Sequence, residues 1–498
     1  MPEIKRFLSP VIVILLIFLT SCNGAADSPS AQFIDTPELI VPGYVTDEGE
    51  AGLIDGRLWL QDYSNYLHAV QLMATVSRDS EYGNDAYRPE LYPDEMIRRA
   101  EQWLTLVRYT DFIFNDDGRF VPWIGEQAEG HFLSSDIDLS VFPHLVYAYH
   151  IHHRSGRFDF DETLYNRLNR EATNYLVTPG QYLINEHFAD GRFVNNDGNA
   201  DHRSMSYGLG GIHGNAYSWI VWGKPGGEDT MGVIEEAVLE HWMGHGIAEM
   251  VQIYRNLAEA MDNAWLEDQS IYDFGDGTTW QLDAIGAMLR GKKAMYDFLY
   301  MFGDDGDRET SLQLFERAAA MLESVIPLAR SWGLPDMIEF TENGALAASE
   351  SVDLYNWYQF LNHLGGGYGF DREREGMPMY ITEKREDLFD AFGELSDKAL
   401  KGALQYHLND EGLLFTTVDF SDGSPSDQRL SVSTAGMFIT MAANNYRKGS
   451  AFERASDWDR VDSEVADRSR ALYDLKFSLM ERLDAVVSMP EDDSVSNL

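Results

Sequence analysis

Residues 202–222, HRSMSYGLGGIHGNAYSWIVW, gather side chains that move protons and stabilise charge. His213, Asn215, Tyr217 and Trp219 occupy alternate positions, so an extended backbone would turn all four to one face. Asn215, with His213 or Arg203, supplies hydrogen-bond donors for a developing oxyanion. Tyr217, Tyr207 or His213 supplies the base and the acid that move protons. A tyrosine base needs a neighbouring cation to bring its pKa down from about 10, and Arg203 is the nearest candidate. His202, Trp219 and Trp222 add a polar contact and flat faces for a ligand, although tryptophans also pack cores.

Three other groupings compete. Asp136 and Asp138 in SSDIDLS, preceded by Glu126 and Glu129, offer the paired carboxylates of a glycoside hydrolase, or a helix cap in an acid-rich chain. His241, His245 and Glu249 follow at i, i+4 and i+8, a helical stripe that can hold a divalent metal or line a polar cleft. Tyr368, in the glycine-rich HLGGGYGFD, is a candidate sugar platform in a second cleft loop.

Helices must position these groups. Apolar residues recur at three- and four-residue spacing near 58–77, 93–115, 138–154, 161–177, 235–263, 279–302, 308–332, 347–364, 384–407, 430–447 and 461–487. Strand-like alternation is scarce, with GLLFTTVDF at 412–420 the best hairpin arm. Between the helices near 177 and 235 the period vanishes, which predicts a long loop. Residues 191–227 hold nine glycines, and Arg192, Arg203 and Lys224 outweigh Asp197 and Asp201 there, against a chain total of −44. That local relief from acidity fits either burial or tolerance of an anion or sugar. An acidic or asparagine turn with glycine, followed by an aromatic, recurs in NDDGRF (115–120), FADGRF (188–193) and NDEGLLF (409–415), as in a helical array.

Helix pairs joined by short hairpin loops resemble the α/α toroid of polysaccharide lyases and several glycoside hydrolases, which closes with six pairs. The resemblance covers residues 55–490 and implies an all-α fold. The Asn-His-Tyr grouping at 213–217 is similar to the catalytic groups of toroid lyases such as alginate lyases, with Gly214 and Ala216 interleaved here. That resemblance implies β-elimination on a uronic-acid polymer. The alternatives are hydrolysis through Asp136 and Asp138, or a glycan-binding lipoprotein without catalysis. The expected partner is a poly- or oligosaccharide, with no required cofactor apart from a possible divalent metal.

Lys5 and Arg6 precede about 13 apolar residues, fewer than the roughly 20 a transmembrane helix needs. LTSC at 19–22 resembles a bacterial lipobox, which implies a signal peptide over residues 1–21, lipid on Cys22 and a tether over 22–54. Asn23 in place of Asp points to the outer membrane, with contact to the bilayer only through the lipid. With 82 acidic and 38 basic residues, the chain repels nucleic acid and fits a salt-adapted source.

Cys22 is the only cysteine. Cys22→Ala should therefore abolish fatty-acid labelling of the protein, and label retained in the variant would contradict lipidation.

Overall fold

The computed structural model describes residues 41–46, 49–59, 61–66, 68–70, 123–124, 180–195, 197–222, 245–364, 385–427, 429–447 and 463–487. All belong to one compact unit, Leu39–Leu498. The helices expected at 93–115, 138–154 and 161–177, the first of the acidic-glycine turns and residues 1–40 lie outside the described residues.

The described helices alternate between an inner and an outer row. The inner row contains α1 (His202–Gly211) with its continuation α2 (His213–Trp222), α4 (Leu282–Phe302), α6 (Leu354–Leu364) and α8 (Val432–Arg447). The outer row contains α3 (Ile247–Ala264), α5 (Asp305–Val325), α7 (Glu386–Gln405) and α9 (Ser463–Val487). Inner helices pack side by side in the order α1, α4, α6, α8, while α5 backs α4 and α9 backs α8. Helical residues 61–66 and 68–70 extend the inner row beyond α8: a Cβ added at Gly436 of α8 would lie 2.7 Å from the Asn65 carbonyl oxygen. Ser433 of α8 also donates to Asp62 at 2.5 Å. The protein is an α/α toroid with short β hairpins.

The hairpins after α3, α5 and α7 each lead from an outer helix into the next inner one. Trp265–Leu266 pairs with Ile271–Tyr272 after α3, and Met337–Thr341 with Gly344–Ala347 after α5. Strand Thr417–Asp419, inside the expected 412–420 arm, pairs with Ser351–Asp353 and Pro425–Asp427. In FADGRF the turn residues Asp190 and Gly191 both take positive φ, at 50° and 76°, which suits the twist of a two-residue hairpin. Phe193 then folds back, fully buried, onto Gly208 of the next inner helix. That contact accounts for an aromatic after the turn.

Two sequence expectations are corrected here. Residues 202–222 form helices rather than an extended loop. Their glycines mark close helix packing: a Cβ at Gly291 of α4 would lie 2.6 Å from the Leu209 backbone carbon, and one at Gly210 would lie 3.4 Å from the Ala287 carbonyl oxygen. Small residues let α1 and α4 approach along the inner row, which hides the usual apolar period. The second correction concerns the tether. Val41 is buried, and Tyr44–Val45 pairs with Leu430–Ser431 and Ala51–Gly52, so residues 41–46 and 49–54 belong to the folded body.

The α1–α4 contact gives a direct test. Gly291→Ala should lower stability by about 1–3 kcal/mol, because two backbones must separate. Gly393→Ala, in α7 with nothing within 4 Å of the new methyl, should raise stability by up to about 1 kcal/mol. Thermal or urea unfolding of the two variants measures both signs.

Candidate active site

Because outer helices hand over to inner ones through hairpins, the N-terminal ends of the inner helices meet at one end of the ring. They enclose a cavity of about 300 Å³. Gln61 comes from the first inner helix, Arg203 from the first turn of α1, and Gln281 and Asp283 from the start of α4. Tyr355 and Asn356 come from the first turn of α6, Asp353 immediately precedes it, and Asp336 and Met337 open the strand beside α4.

Three carboxylates dominate this cleft. The Leu282 N–H donates to the Asp336 carbonyl at 2.9 Å, which fixes Asp336 beside the start of α4. The Asp336 carboxylate accepts from the Asp353 backbone N–H and from the Ser351 hydroxyl, each at 2.5 Å. Asp353 caps α6 by accepting from the Asn356 N–H at 3.2 Å. Asp283, buried, accepts a short hydrogen bond from the Tyr207 hydroxyl.

The Asp353 carboxyl is pushed up to about 7, first by burial, then by the neighbouring charge of Asp336 and, less, of Asp283, against the hydrogen bonds from the Asn356 and Tyr355 backbone. Burial also raises Asp336, against the hydrogen bonds from Ser351 and Asp353, and Asp283 adds to the rise. Near neutral pH the cluster therefore holds a proton that can be given to a ligand beside carboxylate oxygens that can accept one.

Of the residues the sequence singles out, Arg203 lines the cleft and Tyr207 supports it from below. The Arg203 guanidinium lies 5.2 Å from the centre of the Tyr207 ring. His202 starts α1 with its Nδ1 2.5 Å from Asp276 Oδ2, and its ring lies against Trp280. The helical backbone separates the rest. Positions two apart on a helix point to nearly opposite sides, so 213, 215, 217 and 219 do not share a face. Asn215 is buried with its amide against Gly180, and Trp219 is buried in the core. His213 begins α2, half-buried and outside the cleft lining. Tyr217 and Trp222 are in α2, and their side chains lie outside the described residues.

Cys22, Asp136, Asp138, His241 and Tyr368 also lie outside the described residues. His245 is buried with Nδ1 3.2 Å from the exposed Glu249 carboxylate. Among the described residues no group of three or more His, Cys, Asp or Glu side chains is arranged to hold a metal ion.

Sequence reasoning did not single out Gln61, Asp283, Asp336, Asp353 or Tyr355. Asp283 and Asp353 do carry a signal, since each lies at the start of an inner helix, but a capping aspartate has the same signature.

No protein-family profile and no curated protein sequence matches the chain. Among solved structures, a sugar epimerase from a ruminal bacterium is similar at 11% identity and a TM-score of 0.44, over 82% of this chain and 93% of that one. Cellobiose 2-epimerase from Bacillus thermoamylovorans is similar at 9% identity and 0.45, over 81% and 92%. The endo-β-1,2-glucanase of Talaromyces funiculosus, solved with sophorose, is similar at 10% and 0.38, over 88% and 84%. The toroid assignment stands on the helix contacts described above.

The raised Asp353 makes stability depend on pH with a definite sign. The folded chain keeps this proton up to about 7, whereas the unfolded carboxyl releases it near 3.8. The stabilisation is therefore full at low pH and is lost as pH climbs through about 7. Asp353→Asn should remove that loss, so the stability of the variant relative to the wild type should rise by roughly 4 kcal/mol between pH 4 and pH 8. Unfolding curves at the two pH values check the sign.

Proposed function

We propose that the cleft hydrolyses glycosidic bonds of a neutral glycan. The observation that carries this reading is the carboxylate cluster with raised proton affinity where the inner helices begin. Asp353 gives its proton to the glycosidic oxygen as the bond from the anomeric carbon breaks. Asp283, steadied by the Tyr207 hydroxyl, takes a proton from the attacking water, and Asp336 keeps the proton on Asp353 through its charge. Gln61, Asn356 and Arg203 supply hydrogen bonds to sugar hydroxyls. Even with Asp353 holding its proton, Asp283 and Asp336 outnumber the single Arg203, so the reading favours a neutral substrate over a polyanion.

A second reading, β-elimination on a uronate, has the closeness of Arg203 to Tyr207 in its favour. It is weakened because the Tyr207 proton is engaged by Asp283. Lipid attachment at Cys22, placement at the outer membrane and adaptation to salt complete the proposal. They are supported by the N-terminal sequence and the charge of −44.

The test is incubation with neutral oligosaccharides and polysaccharides, with new reducing ends as the readout. Asp353→Asn and Asp283→Asn should each lower turnover by about 10²–10⁴-fold while the variants still melt cooperatively. Wild-type rates in both variants would overturn the assignment. Cleavage of a uronate polymer with the ultraviolet absorbance of an unsaturated end would give the site to β-elimination.

A further inference from the structure

A larger cavity, about 550 Å³, lies at the same end of the ring as the cleft but over the outer row. One wall is a stripe on the last turns of α3, where Asn256, Glu259 and Asn263 follow at helical spacing. The opposite wall is the hairpin turn with Asp190 and Arg192, and the floor carries the half-buried ring of Phe274. Gly191, at positive φ, brings that turn close to α3: a Cβ there would lie 3.2 Å from the Asn256 Cβ.

The composition of this wall is specific. Two amides, carboxylates and one guanidinium offer donors and acceptors at several heights above an aromatic floor. Few polar groups set around a ring is the way a compact polyhydroxylated ligand is oriented in a pocket. A polyanion is again disfavoured by the excess of carboxylates over the single arginine.

The cavity also lies near the cleft. Phe274 stacks on Tyr272 at 5.8 Å and 15°, and lies 6.3 Å from Trp280, whose ring is 5.1 Å from that of His202. Arg203 follows His202 and Gln281 follows Trp280, and both of these residues line the cleft. The seven steps from Phe274 to Gln281 span at most about 25 Å even when fully extended. A single glycan chain can reach from one cavity to the other.

We infer that this outer cavity is a second saccharide-binding site, holding a distal stretch of a neutral glycan whose scissile bond lies in the cleft. The substrate is then a polymer rather than a short oligosaccharide. The inference rests on the hydrolase reading for its reaction, though not for its binding.

The experiment compares the intact wild type with Phe274→Ala and Asn263→Ala on a neutral polysaccharide and on a short oligosaccharide of the same linkage. Asn263 is exposed on α3, so its variant keeps the fold if Phe274→Ala does not. The ratio of kcat/KM for polymer over oligosaccharide should fall about tenfold for Phe274→Ala, the scale of one lost ring contact, and less for Asn263→Ala. An unchanged ratio in both would overturn the inference. If no glycan is cleaved, the hydrolase reading fails by itself, and electrophoresis through polysaccharide-impregnated gels tests the cavity alone. Retardation of the wild type and of Asp353→Asn, but not of the two cavity variants, would support the site. Equal retardation of all four, or of none, would contradict it.

Discussion

The chemistry of this protein depends on where its inner helices begin. Each helix N-terminus carries partial positive charge, worth about 0.3–1 kcal/mol to a nearby carboxylate and up to about 2 in partly buried settings. Asp62, Asp283 and Asp353 take up such positions. Drying the ends of the ring works in the opposite direction. Moving a carboxyl from 3.8 to about 7, as for Asp62 and Asp353, corresponds to roughly 4 kcal/mol. Burial therefore outweighs the dipole at Asp62 and Asp353, which keep their protons near neutrality. A solvated surface aspartate at a helix cap would behave in the opposite way.

The same geometry sets the division of labour around the ring. Hairpins after the outer helices bring Asp336 and Ser351 beside the starts of α4 and α6. Inner-row packing, tightened at Gly210 and Gly291, brings Tyr207 under Asp283. Arg203 sits in the first turn of α1, where the dipole does not favour a cation, so its placement is held by Tyr207 and by the acidic cleft it faces. Asp62 and Ser433 join the first inner helix to α8 beside the Gln61 wall.

Much of this was readable from periodicity. Helices with polar outer faces, such as α3, α7 and α9, show the three- and four-residue spacing plainly, and the hairpins announce themselves through Asp-Gly turns. Residues 202–222 were opaque because their glycines serve close packing between helices, a tertiary demand that looks locally like loop composition. The anomaly of charge in that stretch nevertheless drew attention to Arg203 and Tyr207, which touch the cleft. Asp283, Asp336 and Asp353 were hidden by abundance: among 82 acidic residues, one more aspartate at a helix start carries no distinguishing mark. Only the ring brings together positions 61, 203, 283, 336 and 353.

The most direct measurement is the pH dependence of kcat/KM on a neutral glycan, from pH 4 to 10. If a protonated Asp353 is the acid, the rate falls on the alkaline side with a midpoint near 7. A rate that keeps rising through pH 9 would contradict the account, because it would place the working proton on a weaker acid than any carboxyl in the cleft.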